Sequence, residues 1–111
     1  MQILFSTHFK KQLKKLKKKY PQLKSDLLDT VEKFDPKKET SIGRSIYKIR
    51  IPSSDMNKGK SGRFRSYFYL YVKKTLLLPL CIYPKSATES ITENELKYHF
   101  DQTIQEVMKQ L

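Results

Sequence analysis

A chain of 111 residues with 38% hydrophobic side chains, 7 Tyr, 6 Phe and only 3 Gly can build one core, which excludes both a disordered polymer and a two-core protein. Its 23 Lys and Arg against 11 Asp and Glu give a formal charge of +12, and such a balance points to a polyanionic partner, nucleic acid or an acidic protein. The single cysteine, Cys81, rules out an intramolecular disulfide and fits a reducing cytoplasm, while the most apolar run, Thr75 to Tyr83, is too short for a bilayer and is broken by Pro79.

The expectation is one soluble cytoplasmic domain over residues 1–111, opened by no secretory leader and bound to no membrane. Gln2 to Phe5 is a candidate first strand, and Ser6 or Thr7 supplies an N-cap oxygen for the helix that follows. Phe9, Leu13, Leu16 and Tyr20 form one apolar face of that helix. Its remaining surface is lysine, and no acidic residue precedes Asp26. Such crowding is unfavourable by tenths of a kcal/mol per neighbouring pair, so Lys14, Lys15, Lys17 and Lys18 read either as a solvating face or as RNA contacts. Pro21 ends the helix and suits the start of a second, whose apolar face is Leu23, Leu27, Val31 and Phe34 and whose charges are mainly acidic. The pair reads as an antiparallel hairpin laid on the core.

After a polar connection from Lys37 to Gly43, the stretch Arg44 to Ile51 alternates, with Tyr47, Ile49 and Ile51 on one face and Ile46, Lys48 and Arg50 on the other. Pro52 stops that strand, and Ser53 to Gly62 is expected to be a long, basic, mobile hairpin loop carrying Lys58 and Lys60. The loop lacks the spacing of a nucleotide-binding P-loop. The next strand also alternates: Phe64, Ser66, Phe68, Leu70 and Val72 against Arg63, Arg65, Tyr67, Tyr69 and Tyr71. One face is core; the other is either a solvated sheet face or a surface for phosphates and splayed bases. Leu76 to Ile82 is apolar on both faces and should be covered on both sides, with Pro79 at a bulge or an unpaired position. Finally, Thr92 and Glu95 form a capping box, Ile91 staples to Leu96, and Leu96, Phe100, Ile104, Val107, Met108 and Leu111 continue at helical spacing. His8 and His99 read as structural, with no partner at metal-ligand spacing, and Cys81 as a buried thiol.

The element order is strand, helix, helix, three strands, helix. Over nearly the whole chain, Tyr47-Lys48-Ile49-Arg50-Ile51, the loop and strand from Lys58 to Arg65, and Cys81-Ile82-Tyr83-Pro84-Lys85-Ser86 resemble the RelE/ParE superfamily of toxins from bacterial toxin–antitoxin pairs, and within it the HigB-type members. Arg63 stands where those members usually carry a second glycine. The resemblance implies an α+β RelE-like fold: an antiparallel sheet of about four strands, helices on one side of it including the two N-terminal ones, and a C-terminal helix. It also implies a toxin that cleaves mRNA on the ribosome without a cofactor or metal, partnered by a cognate antitoxin that is acidic or carries a helix-turn-helix.

Cleavage by a 2′-hydroxyl needs that group deprotonated, the charge on phosphorus stabilised and the 5′-oxygen protonated. Arginine cannot give up its proton, whereas a lysine crowded by cations can serve as a base. Lys48 is therefore the candidate base or charge stabiliser and Arg65 the phosphate clamp, with Arg50 beside them and Lys85 as a further phosphate or acid group. Arg63, Lys58 and Lys60 are candidate RNA contacts, and Tyr67 and Tyr83 candidate stacking platforms. RelE-like toxins carry a tyrosine shortly after the last basic residue; Ile91 stands nearest to it here, leaving the proton donor open. A ParE-like gyrase inhibitor and a non-catalytic RNA- or ribosome-binding module are the competing readings.

Overall fold

The computed structural model describes residues 1–56, 62–88 and 90–110. Three helices, α1 (Thr7–Lys17), α2 (Leu23–Glu32) and α3 (Glu93–Gln110), pack on a sheet of β1 (Gln2–Ile3), β2 (Thr40–Ser41), β3 (Ile46–Pro52), β4 (Arg63–Tyr71) and β5 (Leu76–Pro84). The 5 strands run in the order β1-β5-β4-β3-β2, antiparallel except for the short β1–β5 pairing. The expected α+β architecture is present, with one more strand than the alternation suggested. That strand, β2, is two exposed polar residues pinned to β3 by a turn in which Gly43, Arg44 and Ser45 all take left-handed φ, 95°, 56° and 62°.

The alternation of β3 and β4 sorts the sheet into two faces. Ile49, Ile51, Phe64 and Phe68 meet Phe9 and Leu13 of α1 and Leu23 and Leu27 of α2 in the main core. Ser66 lies on this face without penalty, because its hydroxyl donates to the Cys81 carbonyl. The strand ends one residue before Val72, which is 66% exposed and not part of the core face.

α3 covers the opposite face, which corrects the expectation of helices on one side only. Ile91, Leu96 and Phe100 pack on Ile46, Tyr67, Leu80 and Cys81, and Ile104 and Val107 on Leu76 and Leu78. The capping box forms as read: the Glu95 N–H donates to Thr92 Oγ1 (3.1 Å), and the Thr92 N–H to the Glu95 carboxylate (3.3 Å). Met108 is 49% exposed and contributes nothing to the core, and Leu111 lies outside the described residues.

β5 is covered on both faces, as its composition demands, and Pro79 sits at a bulge. Tyr67 pairs with Cys81 and Phe68 with Pro79, so Leu80 is the extra residue, and Leu80 and Cys81 both reach the α3 side. Beyond Leu77 the outer edge of β5 has no strand partner. There the Gln12 side chain of α1 takes over, its Oε1 accepting from the Ile82 N–H (3.1 Å) and its Nε2 donating to the Leu80 carbonyl (3.4 Å).

α1 and α3 meet around that edge. The Thr7 N–H donates to Glu106 (2.7 Å), and His8 Nε2 faces His99 Nδ1 at 2.7 Å, so one imidazole must donate and the other accept. Burial lowers the pKa of both rings; Lys11 adds to this at His8 while Glu106 opposes it, and at His99 the His8 ring adds to it while Glu95 opposes it.

Two outcomes follow from this packing. Phe68→Ala should cost about 3–5 kcal/mol in a urea titration, because a fully buried ring is lost from the main core. A histidine harder to protonate when folded contributes stability above the unfolded imidazole value of 6.5 and loses it as pH falls below. The urea midpoint should therefore drop between about pH 7 and about pH 5.5, and the double variant His8→Gln, His99→Gln should flatten that dependence.

Candidate RNA-binding face

Strand register decides which cations lie together. Arg50 pairs with Arg65, and Arg65 with Tyr83, so these three side chains stand abreast across β3, β4 and β5 on the α3 side of the sheet. One step along, Lys48, Tyr67 and Cys81 form the next row on that face. One step the other way, Arg63 lies opposite Pro52, and its carbonyl accepts from the Lys85 N–H at 3.1 Å. The structure thus gathers Lys48, Arg50, Arg63, Arg65 and Tyr83 on one surface, with Lys85 at its rim. Lys58 and Lys60 lie outside the described residues.

Arg65 is the unusual member. Only 8% of it is exposed, and among the described residues neither it nor Lys48, Arg50 or Arg63 has a carboxylate within ion-pair distance. Its Nε and the Tyr83 hydroxyl are the only two side-chain polar atoms among the described residues that are buried without a hydrogen-bond partner. A buried polar group left without a partner costs about 1–3 kcal/mol. Burial pushes the Tyr83 phenol well above its ordinary value. The neighbouring Tyr67 hydroxyl pushes the same way, although the two hydroxyls miss the geometry of a hydrogen bond, and Arg65 pulls weakly against both.

Two expectations need correcting. Tyr67 is 4% exposed and packed under α3, so its ring cannot stack on a base. The start of the β3–β4 loop is tethered to α2: buried Asp26 accepts from the Ser54 N–H (2.9 Å) and hydroxyl (2.6 Å), and Asp55 accepts from the Gln22 N–H at the start of α2 (2.8 Å). The lysines of α1 are remote from Arg65. Lys14, Lys15, Lys17 and Lys18 are exposed on a helix that packs against the other side of the sheet, so no single phosphate touches both sets.

Cys81 is buried and its thiol is pushed up to about 12 by burial, as suits a structural residue. A cleft of about 480 Å³ lies at the β3 edge beside Asp26, Asp29, Glu39 and Arg50 and has mixed charge. Of the proposed cations among the described residues only Arg50 reaches it. Among the described residues no three His, Cys, Asp or Glu side chains converge in the manner of a metal site.

No sequence-family profile matches the chain, and no curated protein sequence does. Among solved structures it is similar to a mutant of the E. coli toxin RelE in the free state, with 16% identity over 94% of each chain and a TM-score of 0.48.

The separation of the two basic surfaces is testable with a short single-stranded RNA. Arg50→Gln and Arg63→Gln should each weaken binding and lower the log–log salt slope by about 0.7. Changing Lys14, Lys15, Lys17 and Lys18 to Gln should leave that slope within error, while reducing the slope for a large ribosomal RNA particle by about one unit for each phosphate no longer neutralised.

Proposed function

We propose that this chain is the toxin of a type II toxin–antitoxin pair and an mRNA endonuclease that acts on the translating ribosome, in the manner of HigB-type RelE-like toxins. The observation that carries the reading is Arg65: a buried arginine with no carboxylate partner among the described residues, set abreast of Arg50 on a sheet face that also presents Lys48 and Arg63. The resemblance of the strings around Lys48, Arg65 and Lys85 supports the same assignment.

In this reading the 2′-oxygen bonds to phosphorus as the bond to the 5′-oxygen breaks, leaving a cyclic phosphate and a free 5′-hydroxyl. Lys48 accepts the 2′-proton or stabilises the charge that develops, and Arg65 neutralises the phosphate as it becomes more anionic. Lys85 protonates the leaving oxygen or holds a second phosphate oxygen, and Arg50 and Arg63 hold the flanking backbone. The lysine face of α1 binds ribosomal RNA on its own side of the molecule. The antitoxin, an acidic or helix-turn-helix protein, silences the enzyme in the cytoplasm.

Induction of the chain alone should arrest growth and produce new mRNA 5′ ends confined to translated messages. Arg65→Ala should lower cleavage by about a hundredfold or more while ribosome binding persists, and Arg65→Lys should recover part of the rate, since it keeps the charge and loses the fork. Intact messages alongside failed DNA supercoiling would replace this reading with a gyrase poison. Normal cleavage by Arg65→Ala would move the active centre away from this face.

A further inference from the structure

We propose that Tyr83 and Arg65 form a two-donor seat for one anionic oxygen of a phosphodiester, with the Tyr83 hydroxyl and the Arg65 Nε–H both donating to it. This makes Tyr83 a phosphate-binding group and not a stacking platform. The inference rests on the reading of this face as one that binds phosphate; it does not depend on ribosomes or on cleavage.

Three observations converge on it. Tyr83 and Arg65 are directly opposed in the β4–β5 register, which places their side chains next to each other on one face. They own the only two buried, unpartnered side-chain polar atoms among the described residues. And the two atoms do not satisfy each other, although a phenolic oxygen can accept from a guanidinium. A group that satisfies both must be an acceptor, because Arg65 Nε has only a hydrogen to offer. With a cation on each side of the row and, among the described residues, no carboxylate paired to it, the acceptor that fits is an anion.

The state of the phenol fixes its role. Burial and the Tyr67 hydroxyl keep Tyr83 protonated throughout the physiological range of pH, so it presents a hydrogen and never a negative charge to the phosphate. The same property makes it a poor proton shuttle, since an efficient acid or base titrates near the operating pH. Tyr83 thus binds a non-bridging oxygen and takes no part in the proton transfers.

The test is a titration of the full chain with inorganic phosphate, followed through the side-chain Nε–H signal of Arg65 in proton–nitrogen correlation spectra. That signal should shift and saturate, and Tyr83→Phe should raise the apparent Kd about five- to tenfold. Tyr67→Phe, which removes the neighbouring hydroxyl only, should change it less than about twofold. Because the Tyr83 hydroxyl makes no internal bond, Tyr83→Phe should leave the urea midpoint unchanged or raise it. An Arg65 signal that stays fixed, an unaltered Kd in Tyr83→Phe, or a midpoint that falls in that variant would each overturn the seat. Uncut translated messages would count against the ribonuclease reading alone, since the titration contains neither ribosome nor message.

Discussion

Everything on the cationic face depends on holding a largely buried arginine that has no carboxylate partner among the described residues. A buried arginine would ordinarily be paired or would turn outward to water. Arg65 has no carboxylate partner among the described residues, and it is held on the α3 side because Phe64, Ser66 and Phe68 from the same strand are locked into the main core on the opposite face. A slip of one residue would send those groups to the α3 side and bring Arg65 into the aromatic core. The core therefore orients the cation, and the stability of Phe64 and Phe68 is what keeps it in an unfavourable place. The bulge at Leu80 belongs to the same device: it absorbs one residue of β5 beyond the row, so Tyr83 stays opposite Arg65 while Leu76 and Leu78 still face α3.

Much of this was legible in the chain itself. The period-2 patterns around Tyr47–Ile51 and Phe64–Tyr71 predicted both sheet faces, the capping box located the start of α3, and Pro79 announced an irregularity in an otherwise continuous apolar strand. These are local signals, and local physics decides them. What was not legible is tertiary. An amphipathic pattern says that α3 has an apolar side but not which sheet face that side covers, and this is why the alternation alone left Tyr67 available for stacking. Two exposed polar residues such as Thr40 and Ser41 carry no periodicity, so β2 had no signature. Nor can a sequence reveal that a tyrosine hydroxyl lacks a partner, since that depends on every atom around it.

The charge of +12 counts together groups that the fold keeps apart. The lysines of α1 lie exposed in the helical layer, whereas Lys48, Arg50, Arg63 and Arg65 lie on the other side of the sheet. Asp26 of α2 and Asp55 of the loop have structural roles: they bind Ser54 and the Gln22 N–H and so fasten the first residues of the β3–β4 loop to α2. In the proposed function the two surfaces engage different phosphates, one set for affinity and one for chemistry.

The Gln12 amide has a consequence for the behaviour of the protein in concentrated solution. The outer edge of β5 belongs to the most apolar segment of the chain, and a bare row of N–H and C=O groups there would invite a strand from another molecule to add on. By occupying the Ile82 N–H and the Leu80 carbonyl, one polar side chain mimics the missing strand and closes the edge to such growth. An incoming strand would have to displace this amide before it could pair there, so the protection of the edge rests on a residue that contributes nothing to the cationic face.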